Sequence, residues 1–384
     1  MNYETHIPST LLIGADSRKN VGTLAAQLGM KNVLLVSDKY LEGIGLVAEI
    51  SGLLKASGIE LIAFTDIAGE PEIGNLLDAM KTIGSNKCDG IVSIGGGACI
   101  DTAKAVSVLI TNGGVMSDYM GVGKVPKMGL PHIAIPTTAG TGSEVTRVTI
   151  ITDTETNIKM MCLDNAFMPV AAIVDYKLSM TMPKSLTSYV GIDALTHAIE
   201  AFVSRKANPV SDIFAAKAIE LISGNILTSF NIPTDEVARS AMMEGATFAG
   251  AAFSNASVCA VHGMSRPIGA HFHVAHGLSN AMLLPIVTEY SIEGNPAGYA
   301  TVAGIMGLPG TCEKELTDAL VKRLHEFNSL MDVPTPAAYG IDKDSYMSAL
   351  SDMADAAIAS GSPGNNPKIF TKEEIIDLYL RVYE

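Results

Sequence analysis

Short β-branched runs alternate with amphipathic stretches through the first half of this chain. Val33-Leu34-Leu35-Val36 has the unbroken apolar character of a strand buried on both faces, and Leu41 to Leu54 repeats apolar residues at helical spacing. Glu60 to Phe64 predicts another strand, after which Leu76, Leu77, Met80 and Ile83 mark one face of a helix over Ile73 to Ile83. Gly90-Ile91-Val92-Ser93-Ile94 predicts a strand that runs into Gly95-Gly96-Gly97 and then a helix through Leu109. His132 to Ile135 gives a further short strand. Between Thr146 and Cys162, two β-rich runs flank Thr152-Asp153-Thr154-Glu155-Thr156-Asn157, a sequence suited to a hairpin turn. Strands that alternate with helices pair in parallel through right-handed crossovers, so this half predicts a doubly wound α/β sheet.

The pattern changes after about Pro183. Ser185 to Ser204, Asp212 to Leu227, Asp235 to Phe253 and Leu316 to Asn328 all show helical spacing, and hardly any alternating stretch remains. The expected division is an α/β domain over residues 1–183 and an all-α domain over 184–384. A chain of 384 residues, 48% hydrophobic, can bury two sizeable cores.

Composition narrows the function. The longest apolar runs, such as Ala166 to Val174, fall short of the ~18 residues that a bilayer span needs. The start Met1-Asn2-Tyr3-Glu4 lacks the basic and then apolar regions of a signal peptide, so a cytoplasmic protein with no membrane partner is expected. A formal charge of −14 disfavours a nucleic-acid partner, which needs clustered Lys and Arg. Five scattered cysteines (Cys88, Cys99, Cys162, Cys259, Cys312) with no CxxC pair suit reduced thiols.

Three features carry chemistry. Gly95-Gly96-Gly97 follows a strand and opens a helix, where free N–H groups and the helix dipole favour a phosphate; a tight connection alone would use the same residues. Asp38, just past the Val33–Val36 strand, could hold ribose hydroxyls and repel a 2′-phosphate, or simply cap the next helix. Pro136 to Glu144 clusters hydroxyls and glycines after a strand, at the end of the sheet where open α/β folds bind ligands. In the second half, Asp193 and His197 stand at i and i+4 on one helix face, and four of the eight histidines (His262, His271, His273, His276) lie close together further on. One carboxylate with three imidazoles suits Fe²⁺, Zn²⁺, Co²⁺ or Ni²⁺ better than Mg²⁺ or Ca²⁺. Spacing leaves open which of the later histidines would join.

The run Gly191-Ile192-Asp193-Ala194-Leu195-Thr196-His197-Ala198-Ile199-Glu200-Ala201, together with His262-Gly263-Met264 and His276-Gly277-Leu278-Ser279-Asn280-Ala281, resembles the iron-containing (group III) alcohol dehydrogenases, the family of lactaldehyde reductase and 1,3-propanediol dehydrogenase. The likeness runs from about residue 5 to the C-terminus. It implies a dehydroquinate synthase-like fold, with a dinucleotide-binding N-terminal domain and a helical metal-binding C-terminal domain. It implies Asp193, His197, His262 and His276 as ligands of Fe²⁺, or of Zn²⁺ or another divalent transition metal. It also implies Asp38, Gly96, Gly97, Thr137, Thr138, Thr141, Lys159 and Leu178 as the NAD site. A hydride would pass between NAD(H) and a small primary alcohol, diol or hydroxy acid and its aldehyde. A homo-oligomer, dimeric or larger, is usual in such proteins.

The chain departs from the family pattern at two positions. Arg266 stands where many relatives carry a histidine assigned to proton transfer, and Ala98 replaces the serine after the glycine triplet. Arg266 could attract an anionic substrate group or form an ordinary salt bridge; His273 could replace the relay or pack in the core. Two other functions share the pattern. One is an NAD- and metal-using lyase resembling 3-dehydroquinate synthase, which the scarcity of Lys and Arg near the later motifs disfavours. The other is a sensor of NAD or metal without turnover.

Overall fold

A computed structural model describes residues 2–156 and 158–384. It contains two compact units, His6–Met180 and Thr181–Glu384, the latter joined by the N-terminal residues up to Thr5.

Among the described residues the first unit has nine strands: β1 (Thr10–Ile13), β2 (Asn32–Val36), β3 (Glu60–Phe64), β4 (Gly90–Gly95), β5 (Gly121–Val122), β6 (His132–Pro136), β7 (Val148–Asp153), β8 (Ile158–Leu163) and β9 (Ala171–Val174). Six form a parallel sheet in the order β1-β9-β6-β4-β2-β3. Successive side chains of a strand point to opposite faces, so each strand feeds two cores. Leu34, Val36 and Ile91 pack on one face with Leu76, Ala103 and Val106 from the helices Ile73–Ile83 and Gly97–Asn112. Val33, Leu35, Val92 and Ile94 pack on the other with Ile50 and Leu54 from the helix Leu46–Ala56. All six residues of β4 are buried, which accounts for its continuous apolar run.

The helical pattern from Leu41 to Leu54 is broken in the structure into Lys39–Gly43 and Leu46–Ala56. Gly45 lies between them at φ 86, a left-handed conformation that a residue with a Cβ rarely adopts. Strands β7 and β8 form the expected antiparallel pair, and β5 adds to β8 to make a small three-stranded sheet. Asn157 of the predicted turn lies outside the described residues.

Thr181–Glu384 contains helices and no strand. The helices Lys184–Val203, Pro209–Asn231 and Glu236–Ala256 pack together, and small residues set their spacing. A Cβ at Gly245 would lie 2.7 Å from Ile222, and one at Gly191 would lie 3.0 Å from Ile226. Pro209–Asn231 is long and apolar enough to cross a membrane by length and composition. Here its Ala215, Ala218, Ile219, Ile222 and Ile226 are buried in the helical unit.

The helix His276–Ser291 approaches Lys184–Val203 so closely that a Cβ at Gly277 would sit 2.7 Å from the Tyr189 carbonyl oxygen. Backbone cannot yield as a side-chain tip can. Gly277→Ala is therefore expected to destabilise by about 1–3 kcal/mol through overpacking. Gly304→Ala, in a helix with nothing within 4 Å of the new methyl, should be neutral or stabilise by up to about 1 kcal/mol. Midpoints of urea unfolding followed by circular dichroism check both, and equal midpoints would refute the close approach.

Candidate metal centre and cofactor face

Three helices of the second unit converge on a buried polar cluster. Lys184–Val203 supplies Asp193 and His197 one turn apart, 2% and 5% exposed in a helix that also buries Thr187, Ser188, Thr196 and Glu200. Ala260–Phe272 supplies His262 from its first turn, and His276 begins the helix His276–Ser291. Asp193, His262 and His276 offer ligand atoms that all lie within 4.8 Å of one another. Nε2 of His262 is 3.4 Å from Asp193 Oδ1, and Nε2 of His276 is 4.0 Å from the same oxygen. His197 is outside this triplet, but its ring stacks on His262 with centroids 4.3 Å apart and on Phe253 at the same distance.

Neighbouring side chains hold this arrangement. Glu200 accepts the backbone N–H of Cys259 at 2.8 Å and of Val261 at 2.6 Å, and its other contact is His262 Nδ1 at 2.6 Å. With Nδ1 committed to Glu200, the Nε2 edge of His262 is turned to Asp193. Asn280 donates from Nδ2 to Asp193 Oδ1 at 2.6 Å and lies 3.2 Å from His276 Nε2. Glu200 and Asn280 were not singled out from the sequence. Their signal there is position, because each falls three or four residues after a polar residue of the cluster, on its own helix.

The electrostatics favour a cation. Burial opposes charge on Asp193, yet His197, His262 and His276 outweigh it and hold the carboxyl well below its usual range. Burial also opposes charge on His262, but Glu200 and Asp193 overcome it and raise the ring to about 9. His197 is pushed down to about 3, chiefly by burial, with His262, His276 and Arg266 adding to the effect. Two buried ring nitrogens, His197 Nδ1 and His262 Nε2, have no hydrogen-bond partner. Such groups are costly to bury unsatisfied. A carboxylate, imidazole nitrogens without partners and a net preference for positive charge together fit a divalent transition metal.

Arg266 lies one turn after His262 on the same helix and is partly buried. No hydrogen bond or ion pair engages its guanidinium among the described residues, so the ordinary salt bridge open from the sequence is not formed. His273 is exposed at the C-terminal cap of that helix at φ 55, and is not a packed core histidine.

In the first unit the expected cofactor residues fall at the C-terminal ends of the neighbouring strands β2, β4 and β6, where open α/β sheets bind ligands. Gly96 is the N-cap of the helix that begins at Gly97. A Cβ on Gly97 would come within 2.9 Å of Thr141, and one on Gly96 within 3.6 Å of Thr138, so the two loops face each other. Thr137 donates its N–H to Gly95 O at 3.0 Å. Asp38 caps the helix Lys39–Gly43, with Oδ1 accepting from Leu41 N–H at 2.8 Å. Its Oδ2 faces the glycine turn, 3.8 Å from Cys99 Sγ.

Lys159, on β8, is ion-paired with Glu70 at 2.6 Å, and the Leu178 side chain packs into the sheet core beside Val92 and Ile133. A network that sequence reasoning missed ties the Thr137–Thr146 loop to the helix after the glycine turn. Lys104 is fully buried and donates to Ser143 Oγ, Thr146 Oγ1 and Val148 O, each at 2.8 Å, while Ser143 donates to Asp101. Burial pushes the Lys104 ammonium down to about 8, against Asp101 and Glu144. The signal was an i, i+3 charged pair, Asp101 and Lys104, inside an otherwise uncharged helix.

Comparison with known proteins agrees with both halves of this picture. Residues 8–176 match the family described as iron-containing alcohol dehydrogenase, and residues 187–383 match its C-terminal part. The chain is 34% identical to alcohol dehydrogenase 4 of Saccharomyces cerevisiae, over 99% of this chain and 98% of that one. It is 33% identical to the NAD-dependent methanol dehydrogenase of Bacillus methanolicus, over 97% of each chain. A crystal structure of 1,3-propanediol oxidoreductase superposes with a TM-score of 0.96 at 31% identity, covering 100% of both chains. With matches that span nearly its whole length, the chain belongs to the iron-containing alcohol dehydrogenase family.

Proposed function

We propose that this chain oxidises a small primary alcohol, diol or hydroxy acid with NAD, or reduces the matching aldehyde with NADH. Asp193, His197, His262 and His276 would hold one Fe²⁺. The observation that carries this reading is the buried cluster in which Asp193, His262 and His276 offer ligand atoms within 4.8 Å of one another, beside a His197 Nδ1 that makes no hydrogen bond. When bound, the metal supplies a Lewis acid for the substrate oxygen. The nicotinamide supplies the hydride chemistry.

The chain's own residues bind and orient. Glu200 fixes the His262 ring through Nδ1, so that Nε2 is the ligand nitrogen, and Asn280 holds Asp193 by one oxygen. Helix-start N–H groups after Gly96 would take the pyrophosphate, close against Thr138 and Thr141. Asp38 would offer Oδ2, which accepts only from the weak Cys99 thiol donor, to a ribose hydroxyl while Oδ1 caps its helix, which disfavours a 2′-phosphate. A homo-oligomer in the cytoplasm is part of the same reading, and the five free cysteines suit that reducing compartment.

Fe²⁺-reconstituted protein given NAD and a panel of short alcohols, diols and hydroxy acids should generate the reduced-nicotinamide absorbance band. The signal should vanish in His262→Ala. In Glu200→Gln, iron affinity should fall by about 10- to 100-fold while the circular dichroism spectrum is kept. Iron binding unchanged in both variants would remove the proposed centre.

Cofactor choice tests Asp38 separately. NAD should be preferred, and Asp38→Ser, which retains a capping oxygen, should shift the NADP to NAD ratio of kcat/KM upwards by about tenfold, or ~1.4 kcal/mol. Equal use of the two cofactors by the wild type would reduce Asp38 to a cap.

A further inference from the structure

Among the described residues, Arg266 beside the metal cluster has no hydrogen-bonded or ion-paired partner, and Glu200 acts on it only at longer range. The other buried or partly buried arginines all have partners. Arg18 pairs with Asp175 and Glu49, Arg147 reaches Asn165, Arg239 donates to Pro233 O and Thr187, and Arg323 pairs with Glu326. Acidic groups are not scarce, since the chain has 40 Asp and Glu against 26 Lys and Arg. The nearby carboxylates are already committed. Asp193 accepts from Asn280 and faces His262, while Glu200 is taken up by two backbone N–H groups and His262.

The placement is specific. Residues four apart on a helix share a face, about 6 Å apart along its axis, so Arg266 lies on the side that carries His262. Its charge depresses the basicity of His197, and Glu200 in turn attracts it, which sets it in the electrostatic field of the cluster. Burial lowers its own pKa. A partly desolvated cation without a partner is unfavourable, and more so near a group of residues that would bind a dication. The guanidinium fork matches the paired oxygens of a carboxylate, sulfonate or phosphonate.

We propose that Arg266 is a specificity-determining residue, which binds an anionic group at the far end of the substrate and so selects short hydroxy or oxo acids over neutral alcohols. This rests on the dehydrogenase reading above. The chemical class is a two- or three-carbon alcohol or aldehyde that ends in carboxylate, sulfonate or phosphonate. The other source of such an anion is a phosphate of the cofactor.

The test compares matched pairs of substrates in wild type, Arg266→Lys and Arg266→Gln. The pairs are 3-hydroxypropionate with 1-propanol, and 2-hydroxyethanesulfonate and 2-hydroxyethylphosphonate with ethanol. Taking a ratio within each pair cancels any general loss of activity or fold. Wild-type kcat/KM should favour the anionic member by about 10- to 100-fold, mainly through KM. The ratio should fall towards one in Arg266→Gln and lie between in Arg266→Lys, with KM for NAD unchanged.

A ratio that is the same in wild type and Arg266→Gln would overturn the proposal and leave the dehydrogenase reading standing. A rise in KM for NAD with an unchanged ratio would assign Arg266 to a cofactor phosphate, and also overturn it. Should no alcohol react at all, the dehydrogenase reading fails, and calorimetric titration with 2-hydroxyethylphosphonate decides the anion site. Saturable binding lost in Arg266→Gln supports it, and equal or absent heat overturns it.

Discussion

The imidazole of His262 is held between two buried carboxylates, with Nδ1 2.6 Å from Glu200 and Nε2 3.4 Å from Asp193. Much of the helical unit serves this one contact. Glu200 can reach His262 because it also accepts the N–H groups of Cys259 and Val261, which open the helix that carries the histidine. Asp193 is steadied by Asn280, and Asn280 sits on a helix that Gly277 allows to pack against the Tyr189 backbone. Two negative groups around one ring favour positive charge there even though burial opposes it. A cluster of this kind is stable as a protein interior only if something positive completes it. That requirement links the packing of three helices to metal chemistry.

The first unit meets its own electrostatic requirement by a different route. It must present backbone N–H groups to a ligand without losing the loop that faces them. Glycine at position 97 lets the turn come close to Thr141, where a Cβ would sit at 2.9 Å. The loop is then anchored from below by Lys104, a buried cation with three oxygen acceptors. Here a buried charge is satisfied entirely from within the chain. Arg266, by contrast, is left without a partner, and this difference is why the first is structural and the second is read as a substrate contact.

Periodicity revealed the architecture well where burial is one-sided or complete. The bounds of β3 and of the helix Ile73–Ile83 coincide with those read from apolar spacing, and the absence of alternating segments after Pro183 matches a unit built of helices. It failed at Gly45, since a left-handed glycine can break a helix without disturbing the apolar pattern on either side. In the site, Asp193 and His197 stood out by their spacing, the family resemblance picked His262 and His276 from the later histidines, and folding brings Asp193, His262 and His276 within reach of one ion. Glu200 did not stand out, because its partners lie 59 to 62 positions away and no local rule connects them. Lys159 and Leu178 were expected at the cofactor by resemblance alone. In the structure the first pairs with Glu70 and the second packs in the sheet core, contacts that apolar spacing could not indicate.

Anomalous diffraction at the iron absorption edge, from crystals grown with Fe²⁺, decides whether a divalent metal binds between these helices. A single strong peak is expected within coordination distance of Asp193, His262 and His276, with His197 turned to it as the fourth ligand. A crystal without such a peak, or with iron bound only at surface carboxylates, would contradict the proposed centre. The buried imidazole and carboxylate groups would then be an internal hydrogen-bonded network.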